Sequence, residues 1–214
     1  MKTLAFDGRM GASGDMILAA LLDAGADPSA LAPVEDALGV EYATENVVKN
    51  GIAATNVAVL LDRDDASTDD ECGDHQHDGD HSHDHDDHSH SHDHDHSHGD
   101  GHDHHHEHAE GAGPQRTYRE VVELVESMGL DAGVEADAKA VFEILGEAEA
   151  SVHDTDLEST HFHEVGADDA IADVVGAALL FDDLGVERVV TTPLSTGGGA
   201  VEMSHGIYPV PAPA

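Results

Sequence analysis

The sequence predicts an α/β protein in which helices pack on a small mixed sheet and a long disordered His-rich loop interrupts the chain. Three observations indicate this fold class. Several segments repeat apolar residues with the helical period, others are short β-branched runs beside glycine turns, and residues 62–113 follow neither pattern. The 214 residues allow one domain, or two small ones. We expect residues 1–61 and 114–214 to form a single domain, with the loop between them.

The first element is predicted to be a short strand at residues 3–6, followed by a glycine loop and a helix. Apolar residues then recur with helical spacing as far as Gly25, at Ile17, Ala20, Leu21 and Ala24. Glycines let backbone N–H groups approach a phosphate, and a helix N-terminus favours an anion. The loop is therefore a candidate site for a phosphorylated cofactor or substrate, with the residues Asp7, Gly11, Ser13, Gly14 and Asp15.

An alternative explanation of this loop is a tight strand-to-helix turn with Ser13 near the helix cap. Its spacing matches neither a P-loop nor a dinucleotide fingerprint. Asp7 and Asp15 would also repel a bare phosphate, although a bridging metal ion would remove that objection. The two explanations stay open at this point.

A β-hairpin is the clearest local prediction. Pro28 begins a short helix that reaches about Leu38, and residues 42–48 and 54–61 are β-rich runs on either side of Asn50-Gly51. Asn-Gly is the commonest signal for a type I′ turn, because both of its residues tolerate a positive φ.

Residues 75–108 contain sixteen histidines, mostly spaced His-x-His with Asp, Ser and Gly between them. No apolar residue in this run could offset the entropy of ordering, so we expect it to be disordered. Its imidazoles should bind several Ni²⁺, Zn²⁺ or Cu²⁺ ions weakly and interchangeably, because no fixed geometry selects one of them. The alternative is a solvated linker. The histidines predicted as metal ligands are His81, His83, His85, His88, His90, His92, His94, His96 and His98.

Regular structure is expected to resume at Thr117, where Thr-Tyr-Arg-Glu forms a capping box for a helix. A second helix, at about residues 134–150, should bury Ala138, Val141, Phe142, Leu145 and Ala148. Strands are predicted at residues 187–192 and 200–203, before an extended Pro-rich end. His205 lies between these last elements and is a candidate metal ligand or proton-transfer group, although a lone histidine is usually structural.

The main candidate metal site lies in residues 160–173. His161 and His163 flank Phe162, so in an extended segment both imidazoles would leave on one face. A helix should follow, with Ile171, Val174, Val175, Ala178 and Leu179 as its apolar stripe. Asp169 and Asp173 fall off that stripe and are four residues apart. Together with Glu164, these groups match the ligands of a borderline divalent metal such as Ni, Zn or Mn.

A purely structural explanation exists for each of these residues. An Asp near a helix N-terminus is stabilised by the helix dipole without any ligand. A His beside a helix is often only a hydrogen-bonded surface residue. The prediction of a site therefore depends on the side chains converging in space.

The composition limits the partners and the compartment. The formal net charge is -38, and acidic residues occur throughout the predicted helices. Such a composition predicts a halophilic source, where salt screens the repulsion between these charges. It also argues against binding to nucleic acid or an anionic membrane, because both are negatively charged. The single cysteine, Cys72, excludes an internal disulfide. Charged residues interrupt any apolar run near the N-terminus, and nothing approaches a transmembrane span. We expect a soluble cytoplasmic protein.

Several motifs, in order along the chain, resemble those of the LarC-type nickel-insertion family. They are Phe6-Asp7 with residues 11–16 (Gly-Ala-Ser-Gly-Asp-Met), Asn50-Gly51, the His-rich insertion, Val152-His153, residues 161–167 (His-Phe-His-Glu-Val-Gly-Ala) with Asp169 and Asp173, and His205-Gly206 with residues 209–214 (Pro-Val-Pro-Ala-Pro-Ala). The resemblance spans the chain. Where Gly8-Arg9 stands, family members usually show a Cys and an aromatic residue, so a soft ligand is missing here.

This resemblance implies a nickel cyclometallase that works with CTP hydrolysis. Such an enzyme inserts Ni²⁺ into pyridinium-3,5-bisthiocarboxylic acid mononucleotide and forms the nickel pincer cofactor of lactate racemase and related enzymes. It also implies a C-terminal region for oligomerisation and for CTP with Mn or Mg. Because this chain stops inside the Pro-rich motif, we expect a separate C-terminal polypeptide or domain as a partner, and an apo lactate racemase-type enzyme as a possible recipient.

Insertion at carbon must remove a ring proton, so a base is needed, and His163, Glu164 or His205 could serve. An alternative hypothesis is that the chain is not an enzyme but a His-rich protein that stores nickel or zinc or acts as a metal chaperone. A third, a phosphate-ester hydrolase that uses Asp7 and Asp15 with a metal, lacks an arranged nucleophile.

Overall fold

The structure is a computed structural model, and it describes residues 2–61, 108–109, 113–163, 165–203 and 206–210. The predicted ligands His81 to His98, Glu164 and His205 lie outside the described residues. Five α-helices occur in the described part: α1 (Gly14–Asp23), α2 (Ala32–Leu38), α3 (Tyr118–Ser127), α4 (Ala132–His153) and α5 (Asp168–Asp183). Short 3₁₀ turns span Gly8–Met10, Pro28–Leu31 and Leu157–Ser159. Within the described residues, no helix combines the length and apolarity that crossing a bilayer requires.

The strands of the described residues form three two-stranded sheets. They are β1 (Thr3–Phe6) paired in parallel with β4 (Arg188–Thr191), β2 (Val40–Lys49) antiparallel to β3 (Ile52–Leu61), and β5 (Ala200–Met203) antiparallel to β6 (Gly206–Pro209). The α/β class is thus confirmed, and both strand orientations occur, but in separate sheets.

Helix α5 contacts both of the first two sheets. Tyr42 of the hairpin donates a hydrogen bond of 2.7 Å from its hydroxyl to the carbonyl oxygen of Ala172. Phe6 of β1 lies edge-on to Phe181, with the ring centroids 6.1 Å apart. Residues of both sheets therefore contact α5, and within the described residues the two sheets do not pair with each other.

The β2–β3 hairpin has the predicted turn. Asn50 and Gly51 both have positive φ, at 53° and 79°, as a type I′ turn requires. The predicted capping box is also confirmed, since Glu120 N–H donates to the Thr117 hydroxyl and Thr117 N–H donates to the Glu120 carboxylate.

The predicted apolar stripe of α1 is partly wrong. Leu18 and Leu21 are fully buried, whereas Ala20 and Ala24 are exposed. The helix is apolar on two faces, so periodicity could not decide which face turns inward. Helix α5 covers the face with Leu18 and Leu21, and Ala20 and Ala24 line an open cleft with Ile17.

Helix α4 shows the same kind of error at one position. Phe142 and Ala138 are buried as predicted, but Val141 is 42% exposed and lines the same cleft. On α5, the predicted Ile171 and Val175 are fully buried in the core.

Gly176 allows a close approach to α5. A Cβ atom there would lie 2.8 Å from the Tyr42 hydroxyl oxygen and 3.1 Å from Leu18 Cδ2. The hairpin and α1 thus contact α5 at Gly176, where a larger side chain would not fit.

We expect Gly176→Val to lower the free energy of unfolding by about 1–3 kcal/mol, because it overfills this contact. Gly133→Val on α4 is the matched control, since nothing lies within 4 Å of a Cβ at that position. Urea unfolding of both variants measures the difference. An equal loss in the two variants would contradict the packing described here.

Candidate functional site

Phe162 fixes the segment that carries the two predicted histidine ligands. Its side chain is 1% exposed, and its ring centroid lies 6.4 Å from those of Tyr118 and Phe142. The Phe162 N–H donates a hydrogen bond of 3.0 Å to the carbonyl oxygen of Arg116. With the ring held between α3 and α4, the residues on either side have fixed positions.

His163 lies against the C-terminal part of α4. Its Nδ1 atom is 2.6 Å from Glu149 Oε1, and His153 Nε2 is 3.5 Å from the same oxygen. The two imidazole centroids are 4.9 Å apart. Glu149 and His153 share a helix face because they are four residues apart. We call Glu149, His153 and His163 the Glu149 cluster.

The Glu149 cluster is compact enough to hold a metal ion. Each of its residues offers one ligand atom, and these three atoms all lie within 4.8 Å of one another. No other set of three or more His, Cys, Asp or Glu residues within the described ranges is this compact. Two imidazoles and a carboxylate suit Ni²⁺, Zn²⁺ or Fe²⁺, and three protein ligands leave coordination positions for a further molecule.

His161 lies elsewhere. Its backbone forms an isolated antiparallel bridge with Thr117, and its side chain is exposed. The Thr117 N–H holds the pKa of Glu120 below its usual range, and the nearby His161 is a smaller cause of the same shift. His161 is thus close to the start of α3, whereas His163 contacts Glu149 of α4. The structure thus brings His163, but not His161, into the Glu149 cluster.

Asp169 and Asp173 also lie apart from the Glu149 cluster. Asp173 packs on the glycine loop, so closely that a Cβ at Gly14 would be 1.9 Å from Asp173 Oδ2. Burial raises the pKa of Asp173 to about 7, with the charges of Asp15 and Asp169 as smaller causes. Asp169 Oδ1 is buried and has no hydrogen-bond partner within the described residues. Asp173 therefore lies near Asp15 of the candidate phosphate loop, and neither Asp169 nor Asp173 belongs to the Glu149 cluster.

The glycine loop is closed by contacts within itself and with the segment after β4. Arg9 forms an ion pair with Asp7, with Nε 2.7 Å from Oδ1, and this hydrogen bond is the main reason why the pKa of Asp7 is lowered. Ser13 occupies the N-cap position of α1, where its hydroxyl donates to Asp15 and not to the helix backbone. Ser195 N–H donates to the Gly8 carbonyl oxygen at 2.9 Å.

A cleft of about 780 Å³ opens beside this loop, between α1, α5 and the β1–β4 pair. Its walls are mostly apolar, and its main large side chains are Leu4, Phe6, Ile17, Val174, Phe181 and Val189. Three carboxylates also line it, those of Asp7, Asp23 and Asp173. Of the described residues that form its lining, none is Lys, Arg or His.

The turn between Phe162 and α5 is held by one buried ion pair. Arg116 Nη1 lies 2.7 Å from Asp168 Oδ1 and donates to the Gly166 carbonyl oxygen at 3.0 Å. Asp168 stands in the first turn of α5, where the helix dipole also stabilises its charge.

Sequence reasoning missed Glu149 and His153 as candidate ligands. The predicted helix ended at about residue 150, so His153 fell outside it, whereas α4 continues to His153. A Glu and a His four residues apart at the end of a helix were the available signal. The third residue of the cluster, His163, lies outside α4. No spacing along the chain indicates that it contacts Glu149.

Comparisons with known proteins bear on this site. Residues 4–214 match the model of the family described as nickel insertion protein. A relative from Methanococcoides burtonii, provisionally named as a nickel insertion protein, is 35% identical over the whole chain, which spans 42% of that relative's length. A relative of the same provisional name from Thermomicrobium roseum is 37% identical, again over 42% of its length.

A third relative carries a more specific name. It is the pyridinium-3,5-bisthiocarboxylic acid mononucleotide nickel insertion protein of Acetivibrio thermocellus, which is 35% identical, with this chain spanning 44% of its length. No solved structure matches the chain.

The pKa of Asp173 gives a testable dependence of stability on pH. Its unfolded-state pKa is about 3.9, so from about pH 4 to 7 the folded chain holds the extra proton, and stability falls as pH rises. We expect Asp173→Asn to raise the free energy of unfolding by about 1–2 kcal/mol above pH 7, after allowing for solvent screening.

Near pH 4 the Asp173→Asn variant should match the unsubstituted chain. Asp137→Asn, at an exposed position of α4, is the control and should show little change at either pH. Denaturant unfolding across this range measures both. A stabilisation by Asp173→Asn that does not grow with pH would contradict the burial of a charge.

Proposed function

The chain belongs to the nickel insertion protein family, and from this premise we propose that it is the nickel-delivering part of a protein that inserts Ni²⁺ into pyridinium-3,5-bisthiocarboxylic acid mononucleotide. The printed name of the Acetivibrio thermocellus relative supports this substrate. The chain spans well under half of the length of these relatives, so the complete reaction is assigned here to a longer assembly.

The observation that carries the proposal is the convergence of Glu149, His153 and His163. In the proposed reaction Ni²⁺ is a substrate that has to be bound and then released. Three ligands hold a divalent ion and leave positions that the sulfur atoms of the substrate can occupy. The side chains of His153 and His163 are 33% and 31% exposed, so a second molecule can reach an ion between them.

The His-rich loop would supply this site. Its predicted ligands, His81 to His98, offer many weak and exchangeable positions, which suits collection of scarce Ni²⁺ better than specific binding. Asp169 and Asp173, which we predicted from the sequence to belong to the same metal site, are not part of the Glu149 cluster. Asp173 instead lines the cleft beside the glycine loop, where it packs on Gly14.

The remaining steps need groups beyond the Glu149 cluster. A ring carbon that binds Ni²⁺ must lose its proton, and His163 cannot accept that proton while its lone pair binds the metal. We therefore assign the base to Glu164 or His205. CTP with Mn or Mg is assigned to the additional length of the relatives, as a C-terminal domain or polypeptide. A lactate racemase-type enzyme would receive the product.

We expect His163→Ala to weaken Ni²⁺ binding at the Glu149 cluster by about 10–100-fold or more, because it removes a direct ligand. The background should be a chain without residues 75–105, so that the loop does not mask the site. This deletion keeps His108, which pairs with Leu60 at the end of β3. Isothermal titration calorimetry measures the affinity.

His161→Ala is the matched control, since His161 is two residues away and outside the Glu149 cluster. It should bind Ni²⁺ as the deletion chain does. If His161→Ala and His163→Ala lose the same affinity, or neither loses any, the Glu149 cluster is not the nickel site.

The alternative function, a nickel or zinc storage protein, differs in its dependence on the loop. For an insertion protein, deleting residues 75–105 should leave product formation intact at excess Ni²⁺ and reduce it when Ni²⁺ is scarce. For a storage protein, the deletion removes the function at any Ni²⁺ concentration. Nickel in the pyridinium product, formed by this chain together with the C-terminal part of a relative, is the measurement.

A further inference from the structure

Helix α4 exposes a row of apolar side chains beside the face that buries Ala138 and Phe142. The members of the row follow one another at intervals of three, four and four residues, so they share one face of the helix. Its three large side chains are 42%, 67% and 45% exposed at Val141, Ile144 and Val152, respectively. We call this row the α4 stripe, and its residues are Val141, Ile144, Ala148 and Val152.

The α4 stripe continues into the cleft beside the glycine loop. Single exposed apolar residues are common in soluble proteins, but a contiguous apolar surface indicates an interaction site. Val141 belongs to the stripe and also lines the cleft, where Met16, Val189 and Leu194 are about half exposed. The apolar surface therefore extends beyond one helix face, on a chain whose formal net charge is -38.

The other end of the stripe adjoins the Glu149 cluster. Val152 comes three residues after Glu149 on α4, and residues at this spacing are neighbours on a helix surface. His153, another member of the cluster, directly follows Val152. A protein bound along the stripe would therefore lie next to the coordination positions that three protein ligands leave open.

We propose that the α4 stripe is the docking surface for a helix from the part of the longer relatives that this chain does not span. The chain spans 42% of the Methanococcoides burtonii relative and 44% of the Acetivibrio thermocellus relative. More than half of each relative is thus available to cover this face. The identity of the partner rests on the proposed function, which assigns the remaining steps to that part. The surface itself rests on the exposure and spacing of the α4 residues.

The charges beside the stripe define the chemistry of the partner. Asp137 lies four residues before Val141, Glu147 lies three residues after Ile144, and both acidic residues are exposed. The docking helix should therefore present apolar residues at helical spacing, with Lys or Arg beside them. A second copy of this chain fits less well, because a two-fold contact centred on the stripe would bring Glu147 of both copies together.

The test joins the full chain to the part of the Methanococcoides burtonii relative that it does not span, which gives a protein of the length of the relatives. Ile144→Cys reports on the stripe through its rate of labelling by a maleimide, read at that position by mass spectrometry. We expect labelling to be about tenfold or more slower in the joined protein than in the chain alone, because docking buries this side chain.

Ile52→Cys is the matched control. Ile52 lies at the start of β3, beside the hairpin turn, and is 71% exposed, close to the 67% of Ile144. It should be labelled at the same rate in both proteins. Equal labelling of Ile144→Cys in the two proteins would overturn the proposal, and so would an equal protection of Ile52→Cys.

A second measurement uses no joined chain. The same part of the relative is added to the full chain as a separate polypeptide, and calorimetry measures the affinity. Ile144→Glu should weaken binding by about tenfold or more, because it places a carboxylate against apolar side chains. Ile52→Glu should bind as the unsubstituted chain does. Equal losses in the two variants would count against the α4 stripe.

Sedimentation of the chain alone distinguishes this partner from a second copy. We expect no dimer that depends on the stripe. A dimer that Ile144→Glu dissociates would show that a second copy occupies this face, and it would overturn the assignment of the partner.

The outcome can be separated from that of the nickel site. Ile144→Glu leaves Glu149, His153 and His163 in place, so its affinity for Ni²⁺ should be unchanged in the chain without residues 75–105. Protection of Ile144→Cys together with unaltered Ni²⁺ binding by His163→Ala would contradict the proposed function and leave the docking surface standing. The reverse pair of results would contradict the docking surface alone.

Discussion

The burial of Phe162 is the constraint on which the candidate metal site depends. Its ring lies between Tyr118 of α3 and Phe142 of α4, and burying an aromatic side chain of this size contributes a few kcal/mol, roughly 2–3. Because the ring is fixed, His163 is brought to Glu149 and His153 on α4. His161, on the other side of the same ring, is directed to Thr117 and Glu120. One apolar contact thus separates two histidines that the sequence places almost together.

Helix α5 has the corresponding role for the acidic groups. Its buried face holds the hairpin through Tyr42 and holds α1 through Gly176. Its N-terminal half carries Asp169 and Asp173, and Asp173 packs against Gly14 and lies near Asp15 of the glycine loop. The carboxylates are therefore concentrated beside the apolar cleft. The described part of the chain has two chemically different regions, one in which two imidazoles and a carboxylate converge and one with acidic and apolar walls.

Much of the fold could be predicted because its signals are local. Asn50-Gly51 specifies its turn through backbone conformation alone, and Thr117 and Glu120 form a capping box within four residues. The inward face of α1 could not be predicted, because Leu18 and Ala20 both lie on apolar faces and only contact with α5 distinguishes them. The hairpin and the β1–β4 pair are separate sheets that each contact α5, and strand propensity contains no information on that arrangement.

The sequence by itself determined the types of chemical group and the local structure: paired histidines, acidic residues at a helix start, a glycine loop, a hairpin and an α/β fold class. Tertiary structure alone decided which of these groups meet. Glu149 and His163 are fourteen residues apart on different elements, and Asp15 and Asp173 are much further apart along the chain. Contacts of this kind depend on which apolar faces are buried against each other. The periodicity of one segment does not show which other segment it packs against.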